Sequence, residues 1–153
     1  MGLKLEDLKR KRVKRMPRLG KRSKTRLEGV DERLVHLLTE VCKYFDITVI
    51  EGKRSQKRQN ELVAQGKSKT KFGKHVLGMA VDIAPYDPTV KGKIDWNARD
   101  DFHYMGGWVM AMANKLGYKI RWGGDWNASS LYKGQRTTKD NSFDDLVHFE
   151  LLD

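Results

Sequence analysis

The chain has 153 residues, 39% of them hydrophobic, which suffices for one compact domain with a real core and is short for two. Its lone cysteine, Cys42, excludes an internal disulfide framework, and no apolar run is long enough to span a bilayer. The net charge of +11 is unevenly placed: residues 1–27 hold 12 Lys/Arg against Glu6 and Asp7, a net of +10, and the rest of the chain carries +1. The basic character therefore belongs to an N-terminal arm, placed at residues 1–22, attached to a nearly neutral domain at residues 23–153.

In the arm, Leu5, Leu8, Val13 and Met16 share one side of a helical wheel until Pro17 and Gly20 break the pattern. A basic amphipathic helix and a solvated tail explain this equally well. No apolar signal-peptide core follows the basic residues, so synthesis in the cytoplasm is expected. From Asp31, placed to cap, the pattern Leu34, Leu37, Leu38, Val41, Cys42, Phe45 predicts a core helix. His36 lies within it without a partner at i+4 and reads as structural. Ile47 to Ile50 is β-branched and reads as a buried strand, and Ser55 then opens a second helix over 56–65, stopped by Gly66. Arg54 thus falls at a strand-to-helix junction, where loops deliver functional side chains.

After a polar stretch, residues 80–84 alternate: Val81 and Ile83 point to the core, and Ala80, Asp82 and Ala84 to an open face. An ionised carboxylate among such neighbours needs a cation or donors facing it. His75 is separated from Asp82 by an odd number of residues, so the chain must bend between them for the two to meet, and Gly78 is the residue that permits the bend. Phe102, Met105, Trp108, Val109, Met112 and Leu116 form the stripe of a long helix ended by Gly117, with His103 beside it read as structural. Residues 118–122 read as a strand, followed by a polar loop through Asn141. In the last strand His148 lies opposite the large apolar residues Val147 and Phe149, and Asp145 stands at its entrance.

His75, Asp82 and His148 make a three-ligand set that leaves a tetrahedral zinc ion one open position for water, which is catalytic stoichiometry. Ser68-Lys69-Thr70, His75-x-x-Gly78-x-Ala80-x-Asp82 and Asp145-x-x-His148-Phe149-Glu150 resemble the zinc motifs of the D-alanyl-D-alanine carboxypeptidase and L-alanyl-D-glutamate peptidase superfamily. The runs Gly52-Lys53-Arg54-Ser55-x-x-x-Gln59 and Trp122-Gly123-Gly124-Asp125-Trp126 are more narrowly similar to phage endolysins and cell-wall hydrolases that cut between L-alanine and D-glutamate in peptidoglycan stem peptides.

The resemblance spans residues 23–153 and implies an α+β fold of the Hedgehog/DD-peptidase kind, with a small antiparallel sheet carrying the zinc ligands and helices on one side. It implies Zn²⁺ on His75, Asp82 and His148, Asp145 as the catalytic carboxylate in preference to Asp144, and Arg54 on the oxyanion or on a substrate carboxylate. Trp122, Asp125 and Trp126 become candidates for the substrate groove, with a core role for either tryptophan an equal alternative. Glu150 either orients a histidine or pairs with a surface cation.

The implied protein is a monomeric phage endolysin, made in the host cytoplasm without a signal peptide and acting on the wall after release. A D,D- or L,D-carboxypeptidase that trims stem peptides is the nearer rival. A nucleic-acid-binding protein acting through the arm is the more distant one, and no nucleic acid is expected as partner because the charge stops near residue 26. For the arm, contact with anionic envelope components is the expectation. One departure from the family pattern is Gly73, where many relatives carry a serine two residues before the first histidine.

Overall fold

Over residues 17–127 and 142–153, which the computed structural model describes, the elements are α1 (Lys21–Arg26), α2 (Glu32–Cys42), β1 (Ile47–Glu51), α3 (Gln56–Ala64), β2 (Ala80–Pro85), α4 (Arg99–Leu116), β3 (Ile120–Gly123) and β4 (Asp145–Leu151). The expected amphipathic pattern of residues 5–16 and most of the loop before Asn141 lie outside the described residues. The strands form one four-stranded antiparallel sheet in the order β1-β2-β4-β3. The last strand in sequence is thus an inner strand, and its His148 and Glu150 are buried for that reason.

The register sorts the sheet into two faces. Val49 sits opposite Ile83, Val81 opposite Phe149, and Ile120 opposite Leu151, so these side chains share one face. That face packs on Leu34, Leu37, Leu38 and Val41 of α2 and on Phe102, Met105 and Val109 of α4, all buried. Each fully buried aliphatic side chain of this layer contributes roughly 1.5–3 kcal/mol. The predicted caps are present: the Asp31 side chain accepts from the Arg33 amide at α2, and Ser55 accepts from the Arg58 amide at α3. Cys42 is a buried core residue, and His36 Nδ1 lies 2.8 Å from the Tyr118 hydroxyl, as a structural histidine would.

The N-terminal side of the domain packs tightly against β1. Ser23 and Leu27 of the α1 region are buried, and so is Leu19, which lies on the arm side of the boundary expected after residue 22. The Ser23 hydroxyl accepts from the Val49 amide at 3.0 Å, and Arg26 Nη1 donates to the Val49 carbonyl at 2.7 Å.

Two backbone irregularities place functional residues. Gly78 has φ +71°, a conformation that side-chain-bearing residues rarely adopt, and its carbonyl accepts from the Asp31 amide at 2.8 Å. This turn redirects the chain between His75 and β2. The second lies in β4, where the β3 register jumps from Trp122↔Phe149 to Gly123↔Asp145. Gly123 is required there, because a Cβ would stand 2.0 Å from the Asp145 carbonyl oxygen.

Candidate metal centre

The face opposite the helices carries Asp82 of β2 directly across from His148 of β4, a non-local pairing that brings residues 66 positions apart into contact. The Gly78 turn brings in His75 from outside the sheet. Asp82 Oδ1 lies 3.2 Å from His75 Nε2 and 3.1 Å from His148 Nδ1, and the three ligand atoms fall within 4.8 Å of one another. A tetrahedral ion with bonds of about 2 Å needs ligand separations of roughly 3.3 Å, which both Asp82–histidine separations match, so the donor set suits a zinc-sized cation.

The remaining nitrogen of each histidine is fixed. His75 Nδ1 donates to the Gly52 carbonyl at 2.8 Å, which turns Nε2 toward Asp82. His148 Nε2 donates to Glu150 Oε2 at 2.9 Å, which turns Nδ1 toward the centre. Such partners set tautomer and ring orientation and raise ligand basicity. Glu150 is itself held by Arg121, whose Nε is 3.0 Å from Oε1. Both roles open to Glu150 are realised: it accepts from His148, and it pairs with Arg121, whose side chain is partly exposed. Arg121 has no distinguishing sequence motif. Its place follows only from its register opposite Glu150.

Electrostatics agree with a cation site. Burial works to raise the Asp82 pKa, but hydrogen bonds from His148 and His75 outweigh it and hold the carboxylate far below its ordinary range. Burial disfavours the His148 imidazolium, yet Asp82 and Glu150 carry its pKa up to about 9. The same two carboxylates that favour a proton on His148 favour a cation at this position.

A cavity of about 400 Å³ opens over this centre, lined by His75, Asp82, His148, Asp145 and Arg54 among others. Asp145 lies an odd number of residues before His148 and would face away on a regular strand. The irregularity in β4 returns it to the same cavity. Its pKa is raised, first by burial and then by the charge of Asp82. The neighbouring Asp144 instead forms an ion pair with Arg99 of α4.

Arg54 is clamped rather than free. Its Nε and Nη2 donate to the two Glu51 carboxylate oxygens at 2.8 and 2.6 Å, and Nη1 donates to Gln59 Oε1 at 2.8 Å. Gln59 is only 1% exposed and donates in turn to the Ser68 hydroxyl at 2.9 Å and to the Thr70 carbonyl. The motif around Arg54 and the motif at 68–70 therefore form one support. Glu51, opposite Asp82 in the register, is the member that sequence reading missed, although its position three residues before Arg54 was available as a signal. Gly73 lines the cavity beside this support, and a Cβ there would meet Thr70 Cγ2 at an ordinary 3.5 Å.

The candidate groove residues after β3 separate. Trp122 is a core residue: it is 5% exposed, stacks on Phe149, and donates from Nε1 to the Leu146 carbonyl at 2.9 Å. Its ring also fills the space over Gly106 and Gly124, where a Cβ on either would come within 2.4 Å of it. Asp125 is 2% exposed, in the turn that follows, and neither residue lines the cavity. Trp126 does adjoin the centre, with its ring centroid 5.6 Å from that of His148 and the Arg121 guanidinium 5.6 Å from its own.

Comparison with known proteins follows the same lines. Residues 16–152 match the family model described as phage L-alanyl-D-glutamate peptidase. The chain is 33% identical over 137 residues to the L-alanyl-D-glutamate peptidase of Escherichia phage T5, covering 85% of this chain and 98% of that one. It is 32% identical over 111 residues to the peptidoglycan L-alanyl-D-glutamate endopeptidase CwlK of Bacillus subtilis, covering 59% of each. The crystal structure of Serratia marcescens L-Ala D-Glu endopeptidase ChiX superposes with a TM-score of 0.70 at 29% identity, over 88% of this chain and 89% of that one.

Proposed function

Because this chain belongs to the phage L-alanyl-D-glutamate peptidase family, we propose that it hydrolyses the L-alanyl-D-glutamate bond of peptidoglycan stem peptides at a zinc centre formed by His75, Asp82 and His148. The observation that supports this most directly is the convergence of His75 Nε2, Asp82 Oδ1 and His148 Nδ1 in a cavity that also holds Asp145 and Arg54. When bound, zinc supplies a Lewis acid that acidifies a water molecule and polarises the scissile carbonyl.

The chain's own residues do the rest. Asp145 takes the proton of the attacking water and passes it to the leaving D-glutamate amine, a transfer suited to a carboxylate whose pKa burial has moved toward neutrality. Glu150 keeps His148 in the tautomer that presents Nδ1. Arg54, pre-positioned by Glu51 and Gln59, places a fixed cation on the cavity wall for the developing oxyanion or a stem-peptide carboxylate. Among the described residues no helix is long and apolar enough to cross a membrane. The site of action we infer is the bacterial wall, reached after release from the host cytoplasm.

The test is digestion of purified peptidoglycan with mass analysis of the fragments. New N-terminal D-glutamate is expected, and release of free D-alanine instead would replace this reading with a carboxypeptidase. His148→Ala is expected to abolish digestion. Asp145→Asn is expected to retain one zinc per chain while turnover falls about 10²- to 10⁴-fold. Loss of the metal in that variant would reassign Asp145 from base to ligand.

A further inference from the structure

A second concavity, of about 650 Å³, is larger than the one over the metal centre and shares no residue with it. Arg18, Lys21, Arg22, Arg26 and Lys93 line it, against the single carboxylate of Asp46. Among the described residues none of these five cations takes part in an ion pair. Uncompensated charge of one sign in a concave wall focuses the field and concentrates counter-ions. The groove is not purely polar, because Ile50, Ile94 and Tyr86 contribute apolar surface between the cations.

Its location ties it to the site. Thr48, which lines the groove, pairs with Ala84, two residues along β2 from Asp82, so the groove lies against β1, the neighbour of the strand that carries Asp82. Tyr86 follows Asp82 by four residues, roughly 13 Å of extended chain. The sequence immediately before Arg18 adds seven Lys/Arg in residues 1–16, against Glu6 and Asp7.

We propose that this groove binds a phosphodiester-linked polyol or sugar chain of the bacterial envelope and so holds the enzyme beside its substrate; the envelope source rests on the function proposed above. A thin flexible chain brings phosphates to the cations and its carbon units to Ile50, Ile94 and Tyr86. A volume of this size suits a short chain segment. A lipid surface is flat and would leave the inner wall of the groove unmet, and a nucleic-acid duplex is too broad to enter it.

The probe is a synthetic glycerol-phosphate hexamer, with its Kd for the full chain measured by calorimetry at low and high salt. The variant is Arg18→Gln/Lys21→Gln/Arg22→Gln/Lys93→Gln; Arg26 is kept because it holds the Val49 carbonyl. Hexamer binding is expected to weaken about tenfold or more, with a shallower salt dependence. Cleavage of a small soluble stem peptide is expected to stay at the parent rate, which also reports that the variant is folded. If it is not, Lys21→Gln/Arg22→Gln alone is expected to weaken binding in the same direction. A second full-length variant, Lys9→Gln/Arg10→Gln/Lys11→Gln/Arg12→Gln, is expected to have the smaller effect. Unchanged hexamer affinity in the groove variants overturns the proposal. So does a loss confined to the arm variant, or tighter groove-dependent binding to phosphatidylglycerol vesicles or a DNA duplex than to the hexamer. Failure of stem-peptide cleavage by the parent would count against the catalytic reading and leave the groove measurement intact.

Discussion

Replacing Gly78 by alanine tests how the metal centre is assembled. Two costs add at this position. The first is conformational: alanine at φ +71° is disfavoured by about 1–2 kcal/mol. The second is steric, since the new Cβ would stand 2.5 Å from the Gly29 carbonyl oxygen, and backbone on both sides must shift, a strain of about 1–3 kcal/mol. Gly92 provides the internal control, with φ +82° and nothing within 4 Å of an added Cβ, so Gly92→Ala carries only the first cost. Urea unfolding of the two variants should therefore give a loss of about 2–5 kcal/mol for Gly78→Ala and about 1–2 kcal/mol for Gly92→Ala. Zinc affinity should fall only in the former, because only that turn separates His75 from Asp82. Equal midpoints for the two variants, or unaltered zinc affinity in Gly78→Ala, would refute the account of the turn.

Glu150→Gln should leave the fold intact while zinc affinity, measured by chelator competition, drops about 10- to 100-fold through loss of the charged partner of His148. Arg54→Lys cannot reproduce the two-pronged contact with Glu51, so kcat/KM on stem peptides should fall despite the retained charge; parental kinetics would show the guanidinium geometry to be unimportant. Gly73→Ala should raise stability by about 0.4–1 kcal/mol in thermal melts, since an added Cβ meets only ordinary contacts and the unfolded chain loses freedom. For the metal-free chain, the folded-state pKa of His148, about 9, lies above its unfolded value, so its contribution is fully present below pH ~6.5 and is lost as pH rises through 9. The apo protein should lose on the order of 3 kcal/mol over that interval, and the zinc-loaded protein, with no proton to lose at Nδ1, should show no such decline.

Helix α2, with its Asp31 cap, and helix α4, ended at Gly117, were legible because one amphipathic stripe and one terminal signal specify each locally. The same holds for the Gly78 bend, where residue type and an odd separation pointed to the same requirement. What could not be read was non-local. Nothing in β4 announces that it is an inner strand, so the burial of Glu150 and its link to Arg121 follow only from pairing on both sides. Asp145 was reached by resemblance, whereas alternation alone would turn it away from His148. The irregularity that returns it depends on Gly123, in another strand. Trp122 was ambiguous because an aromatic next to glycines suits a groove as well as a core. Of those glycines Gly124 lies against its ring, together with Gly106 of α4, and Gly123 lies against Asp145.

The contacts between α1 and Val49 bear on how the molecule avoids its own copies. β1 is an outer strand, and an outer strand with unmet amide and carbonyl groups is a template for strand addition by another chain. Here the amide and the carbonyl of Val49 that point outward are both taken, by Ser23 and Arg26, in the middle of the strand. A second molecule could not zip onto β1 without first prising α1 away. Ser23→Ala/Arg26→Ala should therefore do more than destabilise: it should give an enzyme that precipitates in a concentration-dependent way from temperatures at which the parent stays in solution, as light scattering would record.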